Sequence, residues 1–218
     1  MTNQEIVEHL ITWSPFMFGG FGMNILISMI AVTLGTLFAW LFALASMSDR
    51  PRLGRFGKLS TSFFRNIPTL AFVFYAALVI PNEFYLPGTK ELVAFPTWLK
   101  ASIALSAGQI GLQVDQFVAA IGAWRRNAHD EAMLVLPNWF MGFLMTVLAS
   151  SASSLVGVSE LVSRSNTVIN VSSTHLMVPV YLYASLIFIG FCLPMSWLVL
   201  AFKKRLIGRL AATGVISR

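Results

Sequence analysis

Apolar residues gather in five long blocks along this chain, at residues 21–47, 60–80, 98–124, 134–158 and 177–202, with short polar stretches between them. A helix that crosses a bilayer needs about 20 largely apolar residues. Each block therefore predicts a spanning helix, and together they occupy most of the chain. The third block is the least lipid-like, because Gln109, Gln113, Asp115 and Gln116 interrupt it, while the other four carry no internal acidic residue. That helix should face protein or water. Pro68, Pro137, Pro179 and Pro194 lie in or beside the blocks, where a neighbouring helix or a cavity can satisfy the carbonyl that proline leaves free.

Composition narrows the class. Of 218 residues, 56% are hydrophobic and only 11% are charged, and the mean hydropathy is +0.74. Soluble domains carry about 25% charged residues, and a chain of this length cannot hide so much apolar surface in one water-facing core. With 18 Phe, 6 Trp and 10 Met, the chain is also the opposite of a disordered one. One all-α integral membrane domain remains, over residues 21–202, with an external or interfacial segment at 1–20 and a basic tail at 203–218. Glu5 and Glu8 stand where a signal peptide would carry Lys or Arg, so the first helix is expected to stay.

Charge sets the predicted orientation. Arg50, Arg52, Arg55, Lys58 and Arg65 lie in or near the first loop, Arg125 and Arg126 follow the third block, and Lys203, Lys204, Arg205, Arg209 and Arg218 fill the tail, twelve of the fifteen basic residues. Basic residues close to membrane ends mark the cytoplasmic side. Lys90, Lys100 and Arg164, with Glu83, Glu91 and Glu160, fall on the other side. The chain is thus expected to have five spanning helices, N-terminus outside and C-terminus inside. This asymmetry accounts for the net charge of +6 without a nucleic-acid partner.

The sequence is poor in catalytic constellations. Gly54-Arg-Phe-Gly-Lys58-Leu-Ser60 lacks the spacing and the preceding strand of a phosphate-binding loop. His9, His129 and His175 are far apart, without Cys or carboxylate at metal-ligand spacing. Cys192 is the single cysteine and has no partner in the chain. The serines of Ser150-Ser-Ala-Ser-Ser154 accompany no nucleophile elbow; they suit either close helix packing or a polar path. Asp115 is the sharper signal, because an acid inside a spanning helix is costly and marks a pathway or an ionic clasp. Gln109, Gln113 and Gln116 share one helical face, which Ser106 extends. Solute contact and structural clasp both remain open for this stripe.

Several segments, in order and over nearly the whole chain, resemble the permeases of ATP-binding-cassette importers of polar amino acids. Phe63-Phe-Arg-Asn-Ile-Pro68-Thr is similar to that family's Phe-Arg-Gly-Thr-Pro, and Ala104-Leu-Ser106 through Asp115 to its third helix, where an acidic residue stands near this position. Leu136-Pro137 resembles the Leu-Pro that opens the next helix. Ser150 to Ser154 with Gly157-Val-Ser-Glu160-Leu161 resembles the Thr-Ser-Leu and Val-x-Glu-Leu segments. Two departures stand out. The family's Glu-Ala-Ala coupling loop has its best counterpart in Glu131-Ala132-Met133, followed almost at once by Leu136-Pro137, and the Lys-Asp before Thr-Ser-Leu is replaced by Leu148-Ala149.

The resemblance implies a five-helix type I importer permease in a bacterial inner membrane, forming half of a translocation path with a sister permease or a second copy. It is expected to be non-catalytic, with ATP and Mg held by cytoplasmic cassette ATPase partners, with an external solute-binding protein as a further partner, and with no cofactor in this chain. Asp115, Gln109 and Gln113 are the expected solute contacts, with Ser150, Ser151 and Ser154 as further lining residues. Arg126, His129, Asp130 and Glu131 are expected to dock the ATPase, and the short loop leaves much of that coupling to the sister. The competing expectation is a stand-alone secondary transporter or channel subunit.

Overall fold

The computed structural model describes residues 3–85 and 91–212; Lys90, Arg218 and the other residues of the tail beyond 212 lie outside the described residues. Helix α1 (Asn3–Ser46) is continuous over 44 residues, starts well before the first apolar block and contains Pro15. Its buried stripe is rich in small residues, Gly20, Ser28, Ala31, Gly35, Ala39 and Ala43, interspersed with Asn24, Met17, Ile27 and Val32. Large apolar residues such as Leu26, Met29, Leu37 and Trp40 are exposed. Lipid favours this arrangement, because helices in a bilayer associate by close backbone approach rather than by expelling oil from water.

Helix α4 (Thr97–Arg125) packs along α1, burying Ala101, Ala104, Leu105, Ile110, Gly111 and Val114. At 1.5 Å per residue its 29 residues reach about 43 Å, so length alone would let it cross a bilayer. Among the described residues, however, only Gln4–Ser46, His129–Val156 and Met177–Ala211 are both long and apolar enough to cross unbroken. Of the five expected spans, three meet that test as single helices, a fourth is a bent pair, and the fifth, α4, carries the polar stripe.

The bent pair is α2 (Pro51–Asn66) and α3 (Thr69–Val79), which meet at 93°. The second apolar block predicted one helix through this point. Pro68 prevents it, since proline lacks an amide donor and drives the residue before it out of helical conformation; Ile67 sits at φ −92, ψ 128. Two glycines let α2 lie tight against its supports. A Cβ on Gly57 would meet the Ser46 backbone nitrogen at 2.4 Å, and one on Gly111 would meet the Phe64 carbonyl at 2.9 Å. The helix therefore runs from the C-terminal end of α1 to the middle of α4.

A short antiparallel hairpin follows, β1 (Glu83–Tyr85) with β2 (Leu92–Ala94), with Phe84 opposite Val93. Lys100, placed on the outer side by the charge count, is 1% exposed. Its Nζ donates to the Ile80 carbonyl at 2.5 Å and to Asn82 Oδ1 at 2.7 Å, tying α4 to the end of α3.

After one helical turn, α5 (His129–Ala132), the fourth block forms α6 (Val135–Ala149) and tightens into a 3-10 helix at Ser150–Val156. The serines explain the change: Ser150, Ser151 and Ser154 hydroxyls donate to the carbonyls of Val147, Leu148 and Ser151, a local competitor of the α-helical ladder. Helix α7 (Leu161–Ser172) arises in what the sequence presented as a connection. Its Leu161, Val168 and Ile169 pack with Met17 of α1 and with Val180, Ala184 and Ile187 of α8 (Met177–Ala212).

Candidate functional site

The polar stripe of α4 divides between two surroundings. Gln109 and Gln113 are buried, at 4% and 1% exposure, and form a hydrogen-bonded relay across three helices. Trp139 Nε1 donates to Thr36 Oγ1 at 2.7 Å, Thr36 donates to Gln113 Oε1 at 2.9 Å, and Gln113 Nε2 donates to Gln109 Oε1 at 2.8 Å. Gln109 Nε2 then donates to the Gly142 carbonyl at 3.1 Å and to the Thr146 hydroxyl. Each polar group meets a partner in the low-dielectric interior, where an unpaired one would be costly. The relay clasps α1, α4 and α6, and beside Gln109 lies a cavity of about 90 Å³ lined by Thr69, Gly108, Leu112, Met145 and Thr146.

Asp115 points elsewhere. Its side chain is 67% exposed and pairs with Arg65 at the end of α2. The pair stands in a cleft of about 360 Å³ between the end of α1, α2 and α4, with Lys58, Ser46, Thr61 and Ser62 also on its walls. Two cations and one carboxylate therefore face one cleft. Gln116, on the relay's face by spacing, has a buried Oε1 without a partner among the described residues.

The serine segment belongs to a second polar node. Ser150 accepts from Asn24 Nδ2 at 2.9 Å, and the same nitrogen donates to Glu160 Oε2 at 2.9 Å. Asn24 Oδ1 in turn accepts the Leu161 amide at 3.0 Å. Glu160 is fully buried and caps α7, accepting the amides of Val162 and Ser163 at 3.1 and 2.8 Å. Burial pushes its carboxyl above the ordinary range, and the bonds from Asn24, Ser163 and Val162 oppose that rise. Ser151 and Ser154 are half-buried and bond only to backbone; Ser153, fully buried, has no partner among the described residues.

The expected docking residues form a compact exposed corner. Arg126 ends α4 and its guanidinium meets Glu131 at 3.1 Å, with side chains 63% and 40% exposed. Asn127 takes a positive φ of 60°, reversing the chain, and the His129 ring lies 4.5 Å from the ring of Trp124. Asp130 is half-buried on α5. Among the described residues no three His, Cys, Asp or Glu side chains gather as a metal site.

Sequence reasoning missed Asn24, Thr36 and Trp139, and it took Arg65 only as one more loop charge. The signal for Asn24 was present, a lone amide in an apolar block; Thr36 and Trp139 carry none, because their role depends on which helices meet.

One solved structure, described as "Crystal structure of an amino acid ABC transporter with histidines", superposes with a TM-score of 0.73 at 18% sequence identity, covering 90% of this chain and 96% of that one. The chain has this fold. No protein-family model and no curated protein sequence matches it. The resemblance read from Phe63 to Pro68, from Asp115 and from Leu136-Pro137 thus meets an agreeing fold, and the apolar helices make the chain a membrane protein.

Proposed function

We propose that the chain is a permease subunit of an ATP-driven importer for polar amino acids or related small amines, seated in a bacterial inner membrane with its N-terminus outside. The observation that carries this reading is the agreement of fold over 90% of the chain with family-like segments that occur in the same order. The mixed-charge cleft at Arg65 and Asp115 supports the substrate class, since a zwitterion offers a partner to each charge. The chain contributes no catalysis: ATP and Mg belong to cassette ATPases on the cytoplasmic side, and a solute-binding protein outside delivers the substrate. A sister permease completes the path.

In operation, closure of the ATPase pair binds one arrangement of the helices better than the other and so shifts their population between inward-open and outward-open states. The Gln109–Gln113 relay keeps α1, α4 and α6 moving as one unit, while the exposed Arg65–Asp115 pair is the contact free to open. Gln109 reaches the path through the cavity beside Thr69 and Thr146, and Ser151 and Ser154 line its outer part, while Ser150 is buried behind them against Asn24.

Affinity purification of the tagged chain from its native membrane in mild detergent, followed by mass spectrometry, tests the reading. A cassette ATPase and a second permease are the expected partners. Recovery of the chain alone, still transporting in liposomes without ATP, would replace this reading with a stand-alone secondary carrier.

A further inference from the structure

Helix α2 divides its surface into three sectors. At 3.6 residues per turn, Gly54, Gly57 and Thr61 share one side and are buried against α1 and α4. Arg55, Lys58 and Ser62 follow on the next side, all exposed. Leu53, Phe56, Leu59 and Phe63 fall on the third, 43%, 57%, 72% and 53% exposed. Arg52 sits within this apolar sector, where its aliphatic stem can lie along the rings while the guanidinium reaches outward.

Charge makes the surface specific. The helix contains no acidic residue, and Arg50, Arg52, Arg55 and Lys58 have no carboxylate partner among the described residues. A helix crossing the bilayer would have to carry these cations through hydrocarbon, which insertion disfavours strongly. The 93° bend at Pro68 removes that requirement, because α2 turns off the axis of α3. An oblique helix with an apolar sector, a cationic sector and a protein-packed sector fits the boundary between headgroups and acyl chains.

We propose that α2 is a docking surface for anionic phospholipid. Leu53, Phe56, Leu59 and Phe63 enter the acyl boundary, and Arg52, Arg55 and Lys58 take the headgroup phosphates, with Arg50 at the rim. An acidic protein surface could satisfy the cations but would leave the apolar sector in water. The leaflet satisfies both, since polybasic segments at an anionic surface gain affinity with each Lys or Arg. Lys58 also lines the Arg65–Asp115 cleft, so it stands where the lipid surface meets that cleft, whereas Arg52 and Arg55 belong to the lipid surface alone.

The test reconstitutes the full chain in phosphatidylcholine vesicles and compares its association with spin-labelled phosphatidylglycerol and spin-labelled phosphatidylcholine. The wild type should prefer the anionic probe, and R52Q/R55Q/K58Q should lose that preference down to the level of the zwitterionic probe. The control K204Q/R205Q, which removes two cations from exposed positions of α8, should retain it. Preference that survives the triple substitution, or that falls equally in the α8 variant, overturns the proposal. A second measurement does not depend on those substitutions: a spin label at L59C, in a C192S background, should be accessible to oxygen and shielded from a water-soluble nickel chelate. A label that is open to the chelate, or immobilised by another protein, also overturns it.

Discussion

Asp115 and Arg65 are both half or more exposed, and an exposed ion pair contributes about 0–1 kcal/mol. Losing it should leave folding and assembly intact. If Asp115 holds the solute amine, Asp115→Ala should reduce uptake by at least about tenfold, the equivalent of one lost charged contact near 1.4 kcal/mol, while the purified complex keeps its composition. The double variant R65A/D115A separates the two roles, because coupled residues show their interaction in a double-mutant cycle. Uptake that stays low in the double variant assigns Asp115 to the solute; uptake restored by it shows that the uncompensated Arg65 was the fault and removes Asp115 from the solute site. Gln109 and Gln113 differ from Asp115 in kind, since their amides already bond to each other and to Thr146 and Gly142.

Among the elements, α2 is held by what its glycines lack. The atoms that a Cβ on Gly57 would strike belong to the backbone of Ala45 and Ser46, which cannot rotate aside. Gly57→Ala should therefore destabilise the chain by about 1–3 kcal/mol, the usual cost of forced overpacking, whereas Gly22→Ala in α1, with nothing within 4 Å, should be neutral or slightly stabilising. Thermal unfolding in detergent checks the ranking, and equal midpoints for the two variants would contradict the close approach of α2 to α1. The sequence made the long elements legible, because α1, α4 and α8 are built on long, largely apolar runs that no partner is needed to read. It hid the break at Pro68, since a proline inside an otherwise apolar block reads as tolerated until the neighbouring helices are known. It hid α7 for another reason: that helix depends on Glu160 being buried as its cap and on Met17 and Val180 arriving from elsewhere.

For the molecule as a whole, the proposed permease role would couple the chain to an ATPase through the corner at residues 126–131. This corner is a reversed chain and one turn of helix, held by Arg126–Glu131 and by the edge-on contact of His129 with Trp124. So small a surface is a weak handle, and most of the binding to an ATPase should come from the sister permease. Replacing residues 126–131 with a Gly/Ser stretch should leave the ATPase in the purified complex; its disappearance from the preparation would show that this corner is the main anchor. The candidate site was legible to the extent that Asp115 and the glutamines stand out against apolar neighbours. Its division into a buried relay and an exposed ion pair was not, because that depends on the approach of Thr36, Trp139 and Arg65 from three other helices.

The elbow between α2 and α3 carries a further consequence. With α2 at the interface as proposed, the apolar length offered to the bilayer at that flank would be α3 alone, whose 11 residues measure about 16 Å against a hydrocarbon layer of about 30 Å. Such hydrophobic mismatch thins the surrounding membrane, so lipid next to α3 would be compressed relative to lipid beside α1 and α8. A dimple on that flank would make the thickness of the host membrane a force on Pro68, tending to straighten or deepen the bend.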